Sequence, residues 1–300
     1  MATRSGFVTI LGRPNAGKST LLNALVGTKL AIVAEKPQTT RTTIQGVLNL
    51  EGAQIVFVDT PGIHRSDTLL NRKMMQAVRG ALEGVDLVLY LADAAVGFSE
   101  ADREALGVLE HASTPALLVL TKVDLLKKAE EVLPLIAKYK EAREFDDYLT
   151  VSAVTGAGLE RLKEAVVARL PEAEPLYPED YLTDQPERFL AAELIREQVL
   201  RETRHEVPHA TAVWVDQWED KGKVLRISAT ILVEREGQKR IIIGSKGQML
   251  KRIGTAAREE MERFFGRKIY LELFVKVRAD WRENPEVLKE LDWRWMSGGM

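Results

Sequence analysis

Short apolar runs alternate with amphipathic stretches along the first 170 residues. Six runs end in small or acidic residues: FVTILG, TIQGVLNLEG, AQIVFVDTPG, VDLVLYLADAA, PALLVLTKVD and YLTVSA. Between most of them stand patterns with helical spacing, such as GKSTLLNALVG and GLERLKEAVVARL. These patterns predict an α/β domain with a mostly parallel sheet, helices on both faces and a ligand at the carboxyl ends of the strands. The second and third runs meet at Glu51-Gly52, which predicts an antiparallel hairpin at one edge.

The pattern changes at the proline-rich stretch LPEAEPLYPEDYLTDQPERF. Four prolines and several acidic residues in close succession predict a stiff, extended linker. Beyond it the order is helix, strand, strand, short helix, longer helix, strand and a last helix, which is an α+β pattern. We therefore expect a first domain at 1–170, a linker at 171–186 and a second domain at 187–300.

Composition is that of an ordinary globular protein, with 300 residues, 45% of them apolar and 29% charged. The chain contains no cysteine, which excludes disulfides, cysteine-ligated zinc and a cysteine nucleophile, and favours a reducing cytoplasm. The amino terminus lacks the apolar core of a signal peptide, and no apolar run has the length of a membrane span. We expect a cytoplasmic protein, and peripheral contact with the inner membrane stays open.

Charge is distributed unevenly although the net charge is only −2. Residues 235–282 contain 13 basic and 6 acidic side chains. Such a cluster provides the electrostatic attraction that nucleic acid requires, although basic clusters also serve simply to solvate a surface.

A phosphate-binding loop follows the first strand. GRPNAGKS, from Gly12 to Ser19, fits the pattern G-x-x-x-x-G-K-[ST] and opens a helix, which is the context that this motif requires. In such a loop the backbone N–H groups surround phosphates, Lys18 reaches the β- and γ-phosphates and the Ser19 hydroxyl ligates Mg²⁺. The predicted nucleotide contacts in this loop are Gly12, Asn15, Ala16, Gly17, Lys18, Ser19 and Thr20.

Three later motifs at strand ends complete the predicted nucleotide site, and the last two predict guanine as the base. In DTPG, Asp59 can hold Mg²⁺ through water and the Gly62 N–H can meet a γ-phosphate. In TKVD, which contains Thr121, Lys122 and Asp124, the aspartate can accept from the two guanine donors that adenine lacks. Ser152-Ala153, at the end of the last strand, offers a backbone N–H to the guanine O6.

A second glycine loop, GSKG at 244–247, follows a short helix and opens a longer one. It lacks the Gly-Lys-Ser order of a nucleotide loop, but its element order matches a type II K-homology (KH) module, whose G-x-x-G loop clamps single-stranded nucleotides. A KH fold used only as a protein contact is the alternative. Predicted RNA contacts are Lys239, Arg240, Ile243, Gly244, Ser245, Lys246, Gly247, Lys251, Arg252 and Arg258. We expect Trp281, Trp293 and Trp295 to anchor the last helix rather than to stack on bases.

The motifs GRPNAGKST, KPQTTRTTIQG, DTPGIH, TKVD and VSA resemble those of the Era family of translation-factor-class GTPases, and the resemblance extends over essentially the whole chain. It implies a P-loop GTPase domain followed by a type II KH domain, with GTP, GDP and Mg²⁺ as ligands. It also implies binding to the 3′ end of 16S ribosomal RNA during maturation of the small (30S) subunit. We expect no DNA partner and a monomer. One departure is Thr121, where the family usually has Asn.

Catalysis lacks the usual glutamine, because Ile63 follows Gly62. We expect slow hydrolysis that depends on Lys18, Gly62 and Thr40, with Thr40 as a Mg²⁺ ligand and Thr39 as the alternative. His64 is a weak candidate for a general base. Asn15 resembles the residue at this position in potassium-activated relatives, which suggests a K⁺ site.

Two other functions remain open at this point. The first is a non-catalytic assembly factor that binds RNA under the control of its nucleotide. The second is a membrane-associated GTPase without an RNA target.

Overall fold

The six apolar runs of the first half form one sheet in the computed structural model, which describes residues 3–63, 68–110 and 112–292. Its strands are β1 (Arg4–Gly12), β2 (Ile44–Leu50), β3 (Ala53–Asp59), β4 (Leu87–Asp93), β5 (Ala116–Thr121) and β6 (Asp147–Thr150). The strand order is β2-β3-β1-β4-β5-β6. Only β2 runs antiparallel to its neighbour, with Ile44 opposite Asp59, so the predicted edge hairpin is confirmed.

Helices cover both faces of this sheet. They are α1 (Lys18–Val26), α2 (Leu69–Gly80), α3 (Glu100–Leu106), α4 (Val132–Ala142) and α5 (Leu159–Val167). Alternate residues of β4 enter two different cores: Leu89 packs with α1 and α5, whereas Tyr90 packs with α2, α3 and α4. Every residue of β4 is buried, as expected of a central parallel strand whose two faces are both covered.

The carboxyl ends of the parallel strands meet along one edge of the sheet. The phosphate loop follows β1, DTPG follows β3, TKVD follows β5 and VSA follows β6. A mostly parallel sheet binds its ligands at this edge, so the fold brings together motifs that are up to 140 residues apart in sequence.

The proline-rich stretch is extended, and it lies along the edge hairpin. The Val47 N–H donates to the Leu182 carbonyl at 2.9 Å. The Gln54 side chain accepts from the Leu176 N–H at 2.7 Å and donates to the Tyr177 carbonyl at 2.9 Å. The first bond satisfies a backbone N–H that the edge strand β2 would otherwise expose, and the other two satisfy backbone groups of the linker itself.

The second half forms a separate α+β unit in the predicted element order. Its elements are α6 (Glu187–Glu202), β7 (Ala212–Asp220), β8 (Val224–Val233), α7 (Glu236–Ile243), α8 (Gln248–Phe265), β9 (Lys268–Val277) and α9 (Pro285–Glu290). The sheet order is β7-β8-β9, with β8 and β9 parallel. Its core is formed by apolar residues of α6, α7, α8 and the sheet, including Ile195, Ile227, Ile242 and Ile253.

Two units account for the chain. Unit 1 contains Met1–Ala31, Thr40–Ser66 and Asn71–Asp184, and unit 2 contains Ile32–Thr39, Asp67–Leu70 and Gln185–Met300. The division at 184/185 falls within the predicted linker. The short segment Ile32–Thr39 belongs to unit 2, where Ile32 packs in the core with α6. No helix in the described part of the chain is long and apolar enough to cross a membrane.

Candidate functional site

Lys18 is the buried cation of the phosphate loop. Its Nζ donates to the carbonyls of Gly12 and Arg13, each at 3.0 Å. Burial lowers the pKa of Lys18 to about 8, and the nearby Asp59 carboxylate partly opposes this shift. Burial thus disfavours the protonated form of Lys18, and a phosphate group at this position would stabilise that form.

Two hydroxyls and one carboxylate meet beside this lysine. Ser19 Oγ donates to Asp59 Oδ2 at 2.6 Å, and Thr40 Oγ1 lies 2.7 Å from Ser19 Oγ. Asp59 is fully buried, and its Oδ1 has no hydrogen-bond partner. Burial raises the pKa of Asp59 to about 6, against the opposing effects of Lys18 and the two hydroxyls. The Thr39 hydroxyl instead donates to the Lys36 carbonyl at 2.6 Å.

This oxygen cluster fits Mg²⁺. Hard cations prefer oxygen ligands, and the buried Asp59 carboxylate has an oxygen without a donor. Ser19 and Thr40 would hold the ion directly, and Asp59 would hold it through water. When bound, Mg²⁺ neutralises negative charge that develops on transferred phosphate oxygens.

Gly62 lies directly against the phosphate loop. A Cβ at this position would come within 2.7 Å of Pro14 Cα and 2.9 Å of the proline ring, so only glycine allows this approach. The Ile63 N–H donates to the Gly12 carbonyl at 3.2 Å, and the Ile63 side chain is buried in the core. Ile63 therefore offers no polar group to an attacking water.

Thr121 joins the base-recognition motif to the phosphate loop. Its hydroxyl donates to the Ala16 carbonyl at 2.8 Å, with the Ala92 carbonyl at 3.2 Å. Lys122 has a left-handed backbone conformation, with φ of 57°, and its Nζ pairs with Asp93 at 2.7 Å. Asp124 is exposed. Threonine thus retains the link to the phosphate loop, although it lacks the second polar group of an asparagine.

The end of β6 offers Ala153 rather than Ser152 as a donor to a base. Ser152 is fully buried, and its N–H donates to the Ala157 carbonyl at 2.9 Å. Its Oγ accepts from the Thr155 N–H at 3.1 Å. These bonds close the loop on itself and leave the Ala153 N–H as the candidate partner of guanine O6.

The GSKG loop of unit 2 forms a tight turn between α7 and α8. Three of its four residues have positive φ values: Gly244 (72°), Lys246 (50°) and Gly247 (77°). A Cβ at Gly244 would come within 2.6 Å of Met249 Cβ, whereas a Cβ at Gly247 would meet nothing within 4 Å. Ser245 and Lys246 are exposed at the tip.

A groove of about 390 Å³ runs from this loop along α8 and β9. Its lining combines small, apolar and basic residues: Gly247, Leu250, Lys251, Gly254, Thr255, Arg258, Leu271 and Leu273. Arg258 also pairs with Glu262 at 2.9 Å. An apolar floor with basic residues at its side is suited to bases and phosphates of one extended strand.

Comparison with known proteins matches both units. Residues 7–122 match a family described as 50S ribosome-binding GTPase, and residues 206–282 match the KH domain family. The GTPase Era of Geobacter metallireducens is 52% identical over 290 residues, which cover 96% of this chain and 97% of that protein. The chain belongs to the GTPase Era family.

Solved structures of Era proteins match over nearly the whole length. A single-residue variant of Aquifex aeolicus Era bound to GDP·AlF4⁻ has 41% sequence identity and a TM-score of 0.94, and the match covers 97% of this chain and 99% of that protein. An Era in complex with MgGDPNP and nucleotides 1506–1542 of 16S ribosomal RNA has the same identity, TM-score and coverage. The chain is therefore a GTPase with a P-loop domain and a KH domain.

Within this Era-family fold, most of the predicted nucleotide residues lie at one edge of the sheet. Asn15 is exposed with φ of 63°, and Thr20 is half-buried in the first turn of α1. Sequence reasoning missed Arg13, which pairs with the buried Asp102 of α3 at 3.2 Å. No local pattern signals this pair, because the two residues are 89 positions apart.

The predicted RNA residues divide into two sets. Gly247, Lys251 and Arg258 line the groove. The other predicted residues do not: Lys239, Arg240, Ile243, Gly244, Ser245, Lys246 and Arg252. Arg252 instead pairs with Glu202 at 3.1 Å. Sequence reasoning missed Gly254, Thr255, Leu250, Leu271 and Leu273. The spacing of 247, 251, 254 and 258 along one helix face would have identified Gly254.

The tail tryptophans have different outcomes. Trp281 is fully buried and its Nε1 donates to the Ala210 carbonyl at 2.8 Å, which confirms an anchoring role. Trp293, Trp295 and His64 lie outside the described residues.

Proposed function

We propose that this protein is a slow, Mg²⁺-dependent GTPase that binds the 3′ end of 16S ribosomal RNA and assists maturation of the small ribosomal subunit in the cytoplasm. One observation carries the nucleotide part: beside Lys18, Ser19 Oγ lies 2.6 Å from Asp59 Oδ2 and 2.7 Å from Thr40 Oγ1. For the RNA part, the groove of unit 2 and the 41% identical Era crystallised with 16S nucleotides support the proposal.

The chemistry follows from positioning and charge. Lys18 provides positive charge at the phosphates, and the Gly62 N–H supplies a donor for the γ-phosphate. Thr40 belongs to a switch segment, residues 33–45. This segment closes over the nucleotide when the γ-phosphate is present and opens when the phosphate leaves. Because Ile63 is buried and apolar, no side chain at this position orients the attacking water, and hydrolysis is slow.

Multiple-turnover phosphate release tests the catalytic part of the proposal. We expect turnover that requires Mg²⁺ and is faster in K⁺ than in Na⁺, with GDP affinity nearly equal in the two salts, because Asn15 is a candidate K⁺ ligand. Equal rates in the two salts would contradict the K⁺ site. A rate no faster than that of free GTP would favour a nucleotide-regulated RNA binder that does not catalyse.

Guanine recognition is tested at Asp124. Asp124→Asn removes the carboxylate that accepts from guanine and introduces a donor that suits the additional oxygen of xanthine. We expect preference to shift from GTP towards XTP, measured by competition for bound GDP. Unchanged preference would contradict the assignment of this motif to the base.

RNA binding is tested with a single-stranded RNA that contains the 3′ end of 16S ribosomal RNA. We expect specific binding that a scrambled RNA of equal length does not match, and no comparable affinity for DNA. Binding to anionic vesicles that this RNA fails to displace would favour the membrane-associated alternative.

A further inference from the structure

Asp102 is a fully buried carboxylate that the nucleotide chemistry does not use. Its Oδ2 accepts from Ser99 Oγ at 2.6 Å and from the Ser99 N–H at 3.0 Å, which caps the amino terminus of α3. A capping residue needs only these bonds and is usually exposed to solvent. Burial of a charge is unfavourable unless the charge is paired, so the other oxygen needs a separate explanation.

That other oxygen faces the phosphate loop. Asp102 Oδ1 accepts from the Tyr139 hydroxyl of α4 at 2.8 Å and lies 3.2 Å from Arg13 Nε. The second contact is an ion pair without hydrogen-bond geometry, since the buried Arg13 Nε has no hydrogen-bond partner. Only 14% of the Arg13 side chain is exposed. Burial, together with the hydrogen bond to Asp102, raises the pKa of Tyr139, so its hydroxyl stays protonated and holds the carboxylate in orientation.

The backbone around Arg13 contacts two parts of the nucleotide site, Lys18 and Gly62. Its carbonyl and that of Gly12 accept from Lys18 Nζ. The next residue, Pro14, is the surface against which Gly62 lies, with room for no Cβ between them. A shift of Arg13 would therefore displace both the lysine and the glycine proposed to contact the γ-phosphate.

We propose that Asp102 is a positioning residue for GTP hydrolysis, which acts by fixing Arg13 and, through it, the backbone of residues 12–14. This inference rests on the proposed GTPase function. Transition-state stabilisation depends on donors that are held in place before the reaction, and a buried ion pair holds the loop without competition from water. Asp102 does not touch the nucleotide.

The test compares kcat, GDP affinity and thermal stability in Asp102→Asn, Arg13→Met and the double variant. Asparagine has the shape of aspartate but no charge, and methionine has most of the apolar length of arginine. We expect each single variant to lower kcat about tenfold, as typical for groups that orient catalytic residues. GDP affinity should fall less than kcat, because GDP can lose only the Lys18 contact to its β-phosphate, whereas the reaction also loses the contacts of Lys18 and Gly62 to the third phosphate.

Two results distinguish positioning from a purely structural role. If Asp102 acts through Arg13, the double variant is no slower than the slower single variant, because both remove the same interaction. Ser99→Ala is the matched control: it removes a bond to Oδ2 and lowers the melting temperature, but it leaves the ion pair and keeps kcat within about twofold of wild type.

Several outcomes would overturn the inference: unchanged kcat in folded Asp102→Asn, multiplicative losses in the double variant, equal losses of kcat and GDP affinity, or an equal loss of kcat in Ser99→Ala. If Asp102→Asn does not fold, the Arg13→Met variant tests the inference alone. In that variant the fold-decrease in kcat must exceed the fold-decrease in GDP affinity. Wild-type protein without GTP turnover would instead contradict the proposed function itself.

Discussion

Single residues decide how this chain differs from its family. Thr121 departs from the asparagine that the Era resemblance implies at this position, and its hydroxyl donates to the Ala16 carbonyl at 2.8 Å. The side chain is buried, so the loss of this hydroxyl would leave a carbonyl without its donor in a dry environment. The Thr121 hydroxyl thus links the base-recognition motif to the phosphate loop, whereas the second polar group of an asparagine amide is absent.

Two substitutions at Thr121 separate these contributions. Thr121→Val keeps the shape but removes the hydrogen bond, and we expect GDP affinity to fall by about 1 kcal/mol, roughly fivefold. Thr121→Asn supplies both polar groups and should tighten binding. Titration calorimetry with GDP measures both effects. Equal affinity of the valine variant and wild type would show that the link is irrelevant to binding.

Lys18 makes nucleotide binding dependent on pH. Its pKa is lowered to about 8 by burial, so near pH 8 about half of the unliganded protein lacks this proton. Phosphates favour the charged form and raise the pKa, so binding of GDP should take up as much as about half a proton at pH 8 and much less at pH 7.

Calorimetry in buffers with different ionisation enthalpies measures this uptake. Lys18→Arg is the control, because arginine keeps the positive charge but does not titrate in this range. Uptake at pH 8 should disappear in that variant. Persistent uptake would assign the proton to another group.

At the scale of elements, α8 lines the groove that is proposed to bind RNA. Gly247, Lys251, Gly254 and Arg258 lie on one face because their spacing follows the helical repeat. Residues on the neighbouring face, including Ile253, Ala257 and Met261, are buried in the core. The helix therefore contributes one face to stability and the other to the groove, and substitutions on the groove face leave the core intact.

Gly247 offers a sharp test of the groove. A Cβ there would meet nothing within 4 Å, so Gly247→Asp should fold, although its φ of 77° causes some strain. Gly247→Asn has nearly the same shape and tolerates the same backbone, but carries no charge. We expect the aspartate variant to lose at least tenfold more RNA affinity than the asparagine variant in low salt, because it repels phosphates.

Fluorescence anisotropy with the 16S-derived RNA measures the difference. GTP turnover without RNA should be equal in both variants. Similar RNA affinities would indicate that the backbone of the bound strand does not pass Gly247.

At the scale of the whole molecule, the switch segment crosses between the two units. Residues Ile32–Thr39 belong to unit 2, whereas Thr40 belongs to unit 1. Within unit 2, Glu197 accepts from the Val33 N–H at 2.9 Å, and Arg196 donates to the Thr39 carbonyl. Arg196 and Glu197 are both buried on α6. The residue proposed to sense the γ-phosphate is thus joined by a peptide bond to a segment held by α6.

Arg196→Met tests whether this attachment matters. It removes the bond to Thr39 but keeps apolar bulk, and we expect affinity for a non-hydrolysable GTP analogue to fall several-fold while GDP affinity is unchanged. We also expect the GTP analogue to change RNA affinity less in the variant than in wild type, and because coupling is reciprocal, RNA should change affinity for the analogue by the same reduced factor. Equal losses for GDP and the analogue would contradict the prediction.

The control is Glu193→Gln, which weakens the ion pair of Glu193 with Arg196, 2.6 Å long, but leaves the bond to Thr39. It should retain most of the preference for the GTP analogue. Thermal unfolding of both variants identifies a general loss of stability.

The sequence alone determined the two architectures, the order of the strands along the chain, the edge hairpin and the four motifs of the nucleotide site. It could do so because hydrophobic periodicity and loop chemistry depend on neighbours along the chain. It also determined the G-x-x-G loop, since its helix–loop–helix context is local.

Only the tertiary structure decided which groups are already engaged with distant partners. It brought Thr40 rather than Thr39 to Ser19, paired Arg252 with Glu202, bound the proline-rich stretch to the edge hairpin and joined Asp102 to Arg13. These partners are far apart in sequence, and their hydrogen bonds depend on angles and burial that no local pattern encodes.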